Sequence, residues 1–227
     1  MAIHRLLVSI PAAALALCVV VGAPSARAET VTWAAWSAGV SGSPGSATGT
    51  IGANAVTYSG QTSGLLLDYP SWNPSSSYTG GPVGNAPPAA NNSVMIEGGT
   101  TDTETITFAT PIVDPVMAIW SLGQSGDPTY FDFNSEPFTI VAGGPSSEYG
   151  GSTITTSGSD GVVGVEGNGV IQFDGTYSSI TFTTPSYEYY YAFTVGSVAT
   201  PEPGSLALLG TGLMALAGLR RKLSMRG

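Results

Sequence analysis

The feature that most constrains this chain is the distribution of its charged residues. All fifteen acidic residues lie between Glu29 and Pro203, and that stretch contains no lysine, arginine, histidine or cysteine. It therefore carries a formal charge of −15, with no ion pair and no disulfide available to hold it together. Because its length suits one domain, a fold here depends on burying apolar side chains in a core. The basic residues lie near the two ends of the chain: Arg5, Arg27, Arg220, Arg221, Lys222 and Arg226.

The composition of this acidic stretch predicts β-strands. It is rich in Gly, Ser, Thr, Val, Ile and Tyr, and the helix formers lysine and arginine are absent. Residues 104–108 alternate as a half-buried strand does, and the continuously apolar run 116–120 predicts a buried central strand that includes Trp120. Short strands with turn signals about every ten residues predict one all-β domain over 29–199, a single antiparallel, jelly-roll-like β-sandwich.

One segment of the domain is repeated with recognisable similarity. Thr105–Pro111 resembles Ser179–Pro185, and the similarity continues without gaps, so that Ile119 matches Phe193. Each copy has the pattern strand, proline-marked turn, strand. We therefore predict that the copies form equivalent hairpin-like units in the two halves of the sandwich.

The first 28 residues have the pattern of a secretory signal peptide. A short basic start precedes an apolar run over 6–21, and Ala26 and Ala28 provide the small side chains that signal peptidase requires before its cut. The run is shorter than the roughly 20 residues of a spanning helix, which favours cleavage after Ala28 over anchoring. Cys18 lies inside this run, so the cleaved protein has no thiol.

Residues 200–227 form a three-part C-terminal segment. A Pro-Glu-Pro triplet cannot continue a helix and therefore gives an extended hinge. The uncharged apolar run 204–219 would form a helix about 24 Å long at about 1.5 Å per residue, and we predict that it spans the inner membrane. The tail 220–227 would then remain on the cytoplasmic side. The triplet is Pro201, Glu202 and Pro203, and the basic cluster is Arg220, Arg221 and Lys222.

This order of motif, apolar span and basic terminus resembles the PEP-CTERM sorting signal of Gram-negative bacteria. The resemblance implies that an exosortase, a membrane enzyme with a catalytic cysteine, reads the signal and cuts near the motif. It implies export across the inner membrane, transient anchoring by the C-terminal helix, and then release or transfer to the cell surface or extracellular matrix. Such systems usually accompany exopolysaccharide production, which makes exopolysaccharide a candidate partner. A plain C-terminal membrane anchor remains the alternative.

The missing residue types exclude most chemistry from the domain. Without histidine, cysteine or lysine there is no Ser-His-Asp triad, no thiol nucleophile, no Schiff base and no imidazole or thiolate zinc site. Without basic side chains, a nucleic-acid partner is excluded as well. We therefore predict a protein that is not an enzyme, with a structural or adhesive role. A pair of carboxylates could still hydrolyse a glycosidic bond, but no spacing among the acidic residues singles out two of them.

Calcium is the one cofactor that the acidic residues of this domain still allow. It takes six to eight oxygen ligands, which loops at the ends of a sandwich often supply. Asp132 alternates with Phe131 and Phe133, and this also predicts a side chain that simply faces solvent. The candidate ligands are Asp127 and Asp132 in one loop, and Asp160 and Glu166 in another.

Aromatic side chains give a second alternative, a glycan-binding module. Trp72 lies in a proline-rich loop and is the best candidate for an exposed aromatic residue. The alternative is that these aromatic side chains are ordinary residues of the sandwich core. The tyrosines of 187–191 could also stack on sugar rings. On a regular strand Tyr189 and Tyr191 would face one side and Tyr190 the other, so we expect at least one side to be core.

Overall fold

The computed structural model describes residues 28–66, 72–88 and 93–199, together with Gly212. Within the three ranges the backbone forms sixteen strands and one turn of 3₁₀-helix, and none of these residues belongs to a helix long and apolar enough to cross a membrane. The strands are β1 (Val31–Trp33), β2 (Ala35–Val40), β3 (Gly42–Ile51), β4 (Asn54–Thr62), β5 (Gly64–Leu66), β6 (Ser93–Gly98), β7 (Glu104–Val113), β8 (Val116–Leu122), β9 (Thr129–Asp132), β10 (Phe138–Gly143), β11 (Ser152–Thr153), β12 (Thr155–Ser157), β13 (Gly161–Gly164), β14 (Gly167–Phe173), β15 (Thr176–Phe182) and β16 (Tyr187–Val198), and the 3₁₀ turn is Ser75–Ser77.

The two terminal predictions fall almost wholly outside the described residues. Of the predicted signal peptide only Ala28 is described, so Ala26 and the apolar run are not. The sorting triplet Pro201, Glu202 and Pro203, the predicted helix 204–219 apart from Gly212, and the basic cluster Arg220, Arg221 and Lys222 also lie outside. These remain predictions from the sequence.

The strands form three sheets. The eight-stranded sheet has the order β10-β14-β8-β16-β6-β5, with β1 also on β16 and the short β11 parallel to β14. The five-stranded sheet has the order β15-β7-β4-β3-β2, and the three-stranded sheet is β12-β13-β9. One apolar core contains side chains from all three sheets. The domain is thus all-β and almost entirely antiparallel, as predicted; a single jelly-roll-like sandwich stays a prediction.

Strand β8 is the most deeply buried part of the eight-stranded sheet. All seven of its residues are buried, which confirms the predicted central strand. Met117 and Ile119 belong to the main core, whereas Trp120 belongs to a second apolar cluster on the opposite face. Residues 72–88 cover that second face with Trp72, Tyr78 and Val83, which join the cluster. Because both faces are covered, the strand is apolar at every position instead of alternating.

The repeated segments pair directly with each other. Ile106 of β7 is the register partner of its match, Ile180 of β15, and Ile119 of β8 is the partner of its match, Phe193 of β16. A local two-fold relation therefore runs through both large sheets. The hairpin-like expectation was wrong, because each copy gives one strand to each large sheet. In the first copy the chain crosses between sheets at Asp114, whose φ of 47° marks a sharp turn.

Aromatic rings fill the core where the two copies meet. Phe193 lies edge-to-face with Phe182, with ring centroids 5.7 Å apart, and makes the same kind of contact with Tyr58 at 5.4 Å. Phe131 of the three-stranded sheet lies 5.1 Å from Phe182. Such pairs contribute beyond the area that they bury. The three sheets are therefore held to one another at this cluster.

Glu104 is a buried acid on the otherwise apolar face of β7. Its Oε2 accepts hydrogen bonds from the Tyr58 hydroxyl and, at 2.8 Å, from the Gln61 N–H. Its Oε1 lies 3.5 Å from the Thr184 hydroxyl. A Cβ on Gly60 would overlap Oε2, so glycine is required there. Burial raises the pKa of Glu104 to about 7, although the hydrogen bonds from Tyr58 and Gln61 act in the opposite direction.

The aromatic cluster gives a first prediction. Replacing the fully buried Phe193 by alanine leaves a cavity at the meeting point of the sheets. We expect the free energy of unfolding to fall by about 3–5 kcal/mol, measured by chemical denaturation. Val40→Ala is the control, because that side chain is 66% exposed and its loss should cost less than about 0.5 kcal/mol. Equal losses in the two variants would contradict the packing described here.

Glu104 gives a second prediction, on pH. The folded-state pKa of about 7 lies above the ordinary value of 4.5, so between these values the folded state binds the proton more tightly than the unfolded state. Stability should therefore fall as pH rises through this window, by up to about 1.4 kcal/mol per pH unit from this group. Glu104→Gln should reduce that slope in denaturation at pH 4.5–7.5, and the exposed Glu148→Gln should not. An unchanged slope in Glu104→Gln would refute the assignment.

Candidate functional site

Four neighbouring strands of the eight-stranded sheet, β14, β8, β16 and β6, lose their regular pairing at one end. Between β8 and β14, Trp120 and Ser121 lie opposite the single residue Asn168. Between β16 and β6, the register shifts between Tyr187 and Tyr191. Such bulges bend a strand and redirect its side chains, and they are frequent beside functional sites. Here they open a cleft at the edge of an otherwise closed core.

The tyrosine–glutamate cleft, as we call it, has a volume of about 250 Å³. Ser121 comes from the bulge of β8, Glu166 directly precedes β14, and Glu188 and Tyr189 come from the bulge of β16. The strand irregularities and the cleft are thus one feature. Its lining residues are Ser121, Gln124, Tyr149, Glu166, Glu188 and Tyr189.

Glu188 is the buried acid of this cleft and is only 4% exposed. Its Oε2 accepts a hydrogen bond of 2.7 Å from the Gly123 N–H. Burial raises the pKa of Glu188 to about 8; the Gly123 N–H opposes this shift, and the carboxylates of Glu166 and Asp127 add to it. At neutral pH the carboxyl is therefore mostly protonated and can donate a hydrogen bond as well as accept one. Gly123 has a φ of 75°, and a Cβ there would overlap the Gly164 carbonyl.

Ser121 and Glu166 are held in an unusual backbone conformation. Their φ values are 56° and 52°, which non-glycine residues seldom adopt. The Ser121 hydroxyl donates to Glu166 Oε2 at 2.7 Å. Strain of this kind persists only where the surroundings impose it, and it concentrates at functional sites.

Asn168 fixes these two residues from behind the cleft. Its Oδ1 accepts from the Ser121 N–H at 2.9 Å, and its Nδ2 donates to the Glu166 carbonyl at 2.8 Å and the Gly150 carbonyl at 3.2 Å. The Tyr78 hydroxyl also donates to Oδ1 at 3.2 Å. The amide is fully buried, so its bonds join the covering segment, the loop carrying Tyr149 and the cleft into one network.

Two tyrosines border the cleft on its solvent side. Tyr189 is 73% exposed and Tyr149 is 42% exposed, whereas Tyr191 is fully buried. The expectation that Tyr189 and Tyr191 share one face was therefore wrong, because the bulge between Tyr187 and Tyr191 breaks the alternation. Trp120 is fully buried, which confirms it as a core residue. The centroid of the Tyr149 ring lies 5.6 Å from the centroid of the Trp120 ring. The cleft thus combines open aromatic rings with buried hydrogen-bonding groups.

A second cleft, the Trp72 cleft, has a volume of about 570 Å³. Trp72 itself is only 4% exposed, so its expected exposure was wrong. The reason is that the segment 72–88 packs on the sheet, where the Trp72 ring lies edge-to-face with Tyr78 at 5.2 Å. A role for Trp72 in glycan binding remains a prediction. The lining residues are Trp72, Asn73, Ser75, Thr79, Gly84, Asn85, Ala86 and Pro87.

The predicted calcium ligands divide into two pairs. Asp127 and Glu166 both lie close enough to Glu188 to influence its charge. Asp132 is the last residue of β9, and Asp160 lies in the turn directly before β13 of the same sheet. Asp132 is exposed, as predicted, and pairs with Gly161. Over the described ranges, no three or more acidic, histidine or cysteine side chains are grouped as they would be to hold a metal ion. Calcium binding by these residues stays a prediction.

Sequence reasoning missed most of the tyrosine–glutamate cleft. Ser121, Gln124 and Asn168 belong to no recognisable sequence motif. The available signal was Glu188, an acid inside the tyrosine-rich run 187–191. Because acidic side chains are seldom buried without a partner, an acid inside an otherwise apolar strand indicates a special environment.

Comparisons with known proteins match only the C-terminal segment. The model of the PEP-CTERM protein-sorting motif matches residues 199–222, directly after the last described strand. No curated protein and no solved structure matches the chain. The predicted PEP-CTERM signal is therefore confirmed, and it implies an exported, cell-surface protein sorted by an exosortase.

Proposed function

We propose that this chain is a non-enzymatic protein with a structural or adhesive role at the cell surface or in the exopolysaccharide matrix, to which an exosortase delivers it. The observation that carries the proposal is the PEP-CTERM motif at residues 199–222. The all-β domain over 29–199 is then the cargo that remains outside the inner membrane. Signal peptidase and the exosortase are the two processing partners.

The position of the two ends of the described domain supports processing of both ends at one membrane. Val31 and Val198 are register partners, and the Ala199 N–H donates to the Thr30 carbonyl at 2.9 Å. Thr30, two residues beyond the predicted cleavage point, and Ala199, the first residue of the matched motif, are therefore neighbours. Both apolar segments can be held in one membrane while the domain folds outside it.

The chemistry of the domain supports a role without turnover. Between Glu29 and Pro203 the only ionisable side chains are carboxyls and tyrosines. Fifteen carboxyls without a basic residue favour solubility and mutual repulsion over association with anionic surfaces. With no thiol, the folded state does not depend on the redox conditions outside the cell. These properties suit a component of an extracellular layer.

The sorting proposal gives a third prediction. In a bacterium that has an exosortase, replacing Pro201, Glu202 and Pro203 together by alanine should leave the protein in the inner-membrane fraction with its C-terminal segment uncut. Cell fractionation and the mass of the C-terminal peptide measure this. Arg226→Ala is the matched control, because it changes the basic tail beyond residue 222, the last residue that the motif model matches. Normal surface delivery of the triple variant would refute exosortase sorting.

A second candidate function, glycan binding, is favoured by the two clefts that aromatic side chains border. If the Trp72 cleft takes the glycan, Trp72→Phe should weaken binding of the host's own exopolysaccharide several-fold, since phenylalanine keeps the contact with Tyr78 but shortens the cleft wall. Calorimetry with calcium, and again with a chelator, would also detect a calcium-dependent adhesin. Thermal melting provides the folding control, and an unchanged affinity would exclude Trp72 from the binding site.

A further inference from the structure

We propose that the tyrosine–glutamate cleft is a binding site for one neutral sugar ring of a glycan chain. The inference rests on the glycan-binding function proposed above and assigns it to a cleft that the sequence did not identify. Its observations are the exposed rings of Tyr149 and Tyr189 beside the buried groups of Ser121 and Glu188 and the partly buried carboxylate of Glu166.

The lining matches the two kinds of surface that a sugar ring presents. A sugar has C–H faces, which pack on aromatic rings, and hydroxyl groups at its rim, which both donate and accept hydrogen bonds. Tyr149 and Tyr189 offer aromatic surface with a polar tip. Gln124 offers amide donors and an acceptor, and Glu166 offers carboxylate oxygens. A small number of polar groups set among aromatic rings is typical of sites that bind small molecules.

Charge and size exclude the other ligand classes. The cleft has no basic side chain among its lining residues and belongs to a strongly acidic domain, so phosphates, sulfates and uronic acids are repelled. Over the described ranges, no three acidic side chains are grouped as they would be to hold a metal ion, at this cleft or elsewhere. The volume of about 250 Å³ lies below the roughly 300 Å³ at which pockets for drug-sized ligands begin, so one ring fits better than a larger ligand.

The floor of the cleft is held in place before any ligand arrives. Glu188 is fixed by the Gly123 N–H, and Ser121 and Glu166 by Asn168, through bonds of 2.7–2.9 Å. Because these groups are already ordered, binding does not have to restrict them, and more of the contact energy appears as affinity.

The larger Trp72 cleft is the weaker candidate. Its Asn85 amide is already used inside the fold, accepting from the Val31 N–H at 2.7 Å and donating to the Val31 carbonyl at 3.1 Å. The Asn73 amide donates to the Ser147 hydroxyl at 2.8 Å. Its tryptophan is only 4% exposed, against 73% for Tyr189. The tyrosine–glutamate cleft therefore leaves more aromatic surface for a ligand.

The experiment uses the processed protein purified from cells that sort it. The probes are neutral tetrasaccharides of glucose, xylose, mannose and galactose, with a galacturonate tetrasaccharide as the anionic comparison. Calorimetry and saturation-transfer NMR should show saturable binding of at least one neutral probe, and at least tenfold weaker binding of the galacturonate. Absence of binding to every neutral probe would overturn the inference. It would not affect the proposal of surface delivery, which the Pro201, Glu202 and Pro203 variant tests separately.

Variants locate the site. Tyr189→Ala should weaken binding at least tenfold without changing thermal stability, because the side chain is largely exposed. Tyr187→Ala is the matched control: it lies on the same strand, is 59% exposed and is not among the cleft's lining residues, so its affinity should be unchanged. Glu188→Gln, which keeps the shape of the floor, should retain more affinity than Glu188→Ala. Loss of binding in Tyr187→Ala or Trp72→Phe, with Tyr189→Ala unaffected, would overturn the assignment but leave glycan binding itself intact.

Discussion

Burial of β8 on both faces is the constraint on which this fold depends. With no basic residue and no thiol in the domain, neither ion pairs nor disulfides can stabilise it, so apolar burial must. The main core covers one face of the strand, and the segment 72–88 covers the other. The proline-rich segment, which reads as a loop in sequence, is therefore part of the core. The same cover reaches the tyrosine–glutamate cleft, because the Tyr78 hydroxyl donates to Asn168.

The cleft arises where the local two-fold relation fails. Around the paired matches Ile106 with Ile180 and Ile119 with Phe193, the two copies are regular. At the start of their second strands the copies differ. Asp114 lies in a tight turn, and its Oδ1 accepts a hydrogen bond of 2.8 Å from the Gly175 N–H. Its match, Glu188, lies in a bulge and is buried. The regular parts of both copies stabilise the core, and the irregular part of one forms a cleft.

The sequence predicted the strands correctly where the pattern of apolar and polar residues alone decides the structure. The apolar run 116–120 and the alternation of 104–108 both became the predicted strands, and Asp132 faces solvent beside buried phenylalanines. It failed where tertiary pairing decides. Whether Tyr189 follows the alternation depends on how β16 pairs with β6 at that position. Whether Trp72 is buried depends on its packing against a sheet that is assembled from distant segments. For the same reason the cleft escaped prediction, since its residues meet only through bulges that no local pattern specifies.

The path of β16 relates sorting to binding. Its last residue, Val198, pairs with Val31, so both ends of the described domain emerge at this end of the strand. Glu188 lies near the opposite end of the same strand, and at about 3.3 Å per residue the two ends are roughly 30 Å apart. If the terminal segments hold the chain at the membrane, as the sorting proposal requires, the proposed binding cleft lies at the far end of β16 from the anchored ends. A ligand could then be engaged before the exosortase acts as well as after, and processing would change where the protein resides without changing the access to its cleft.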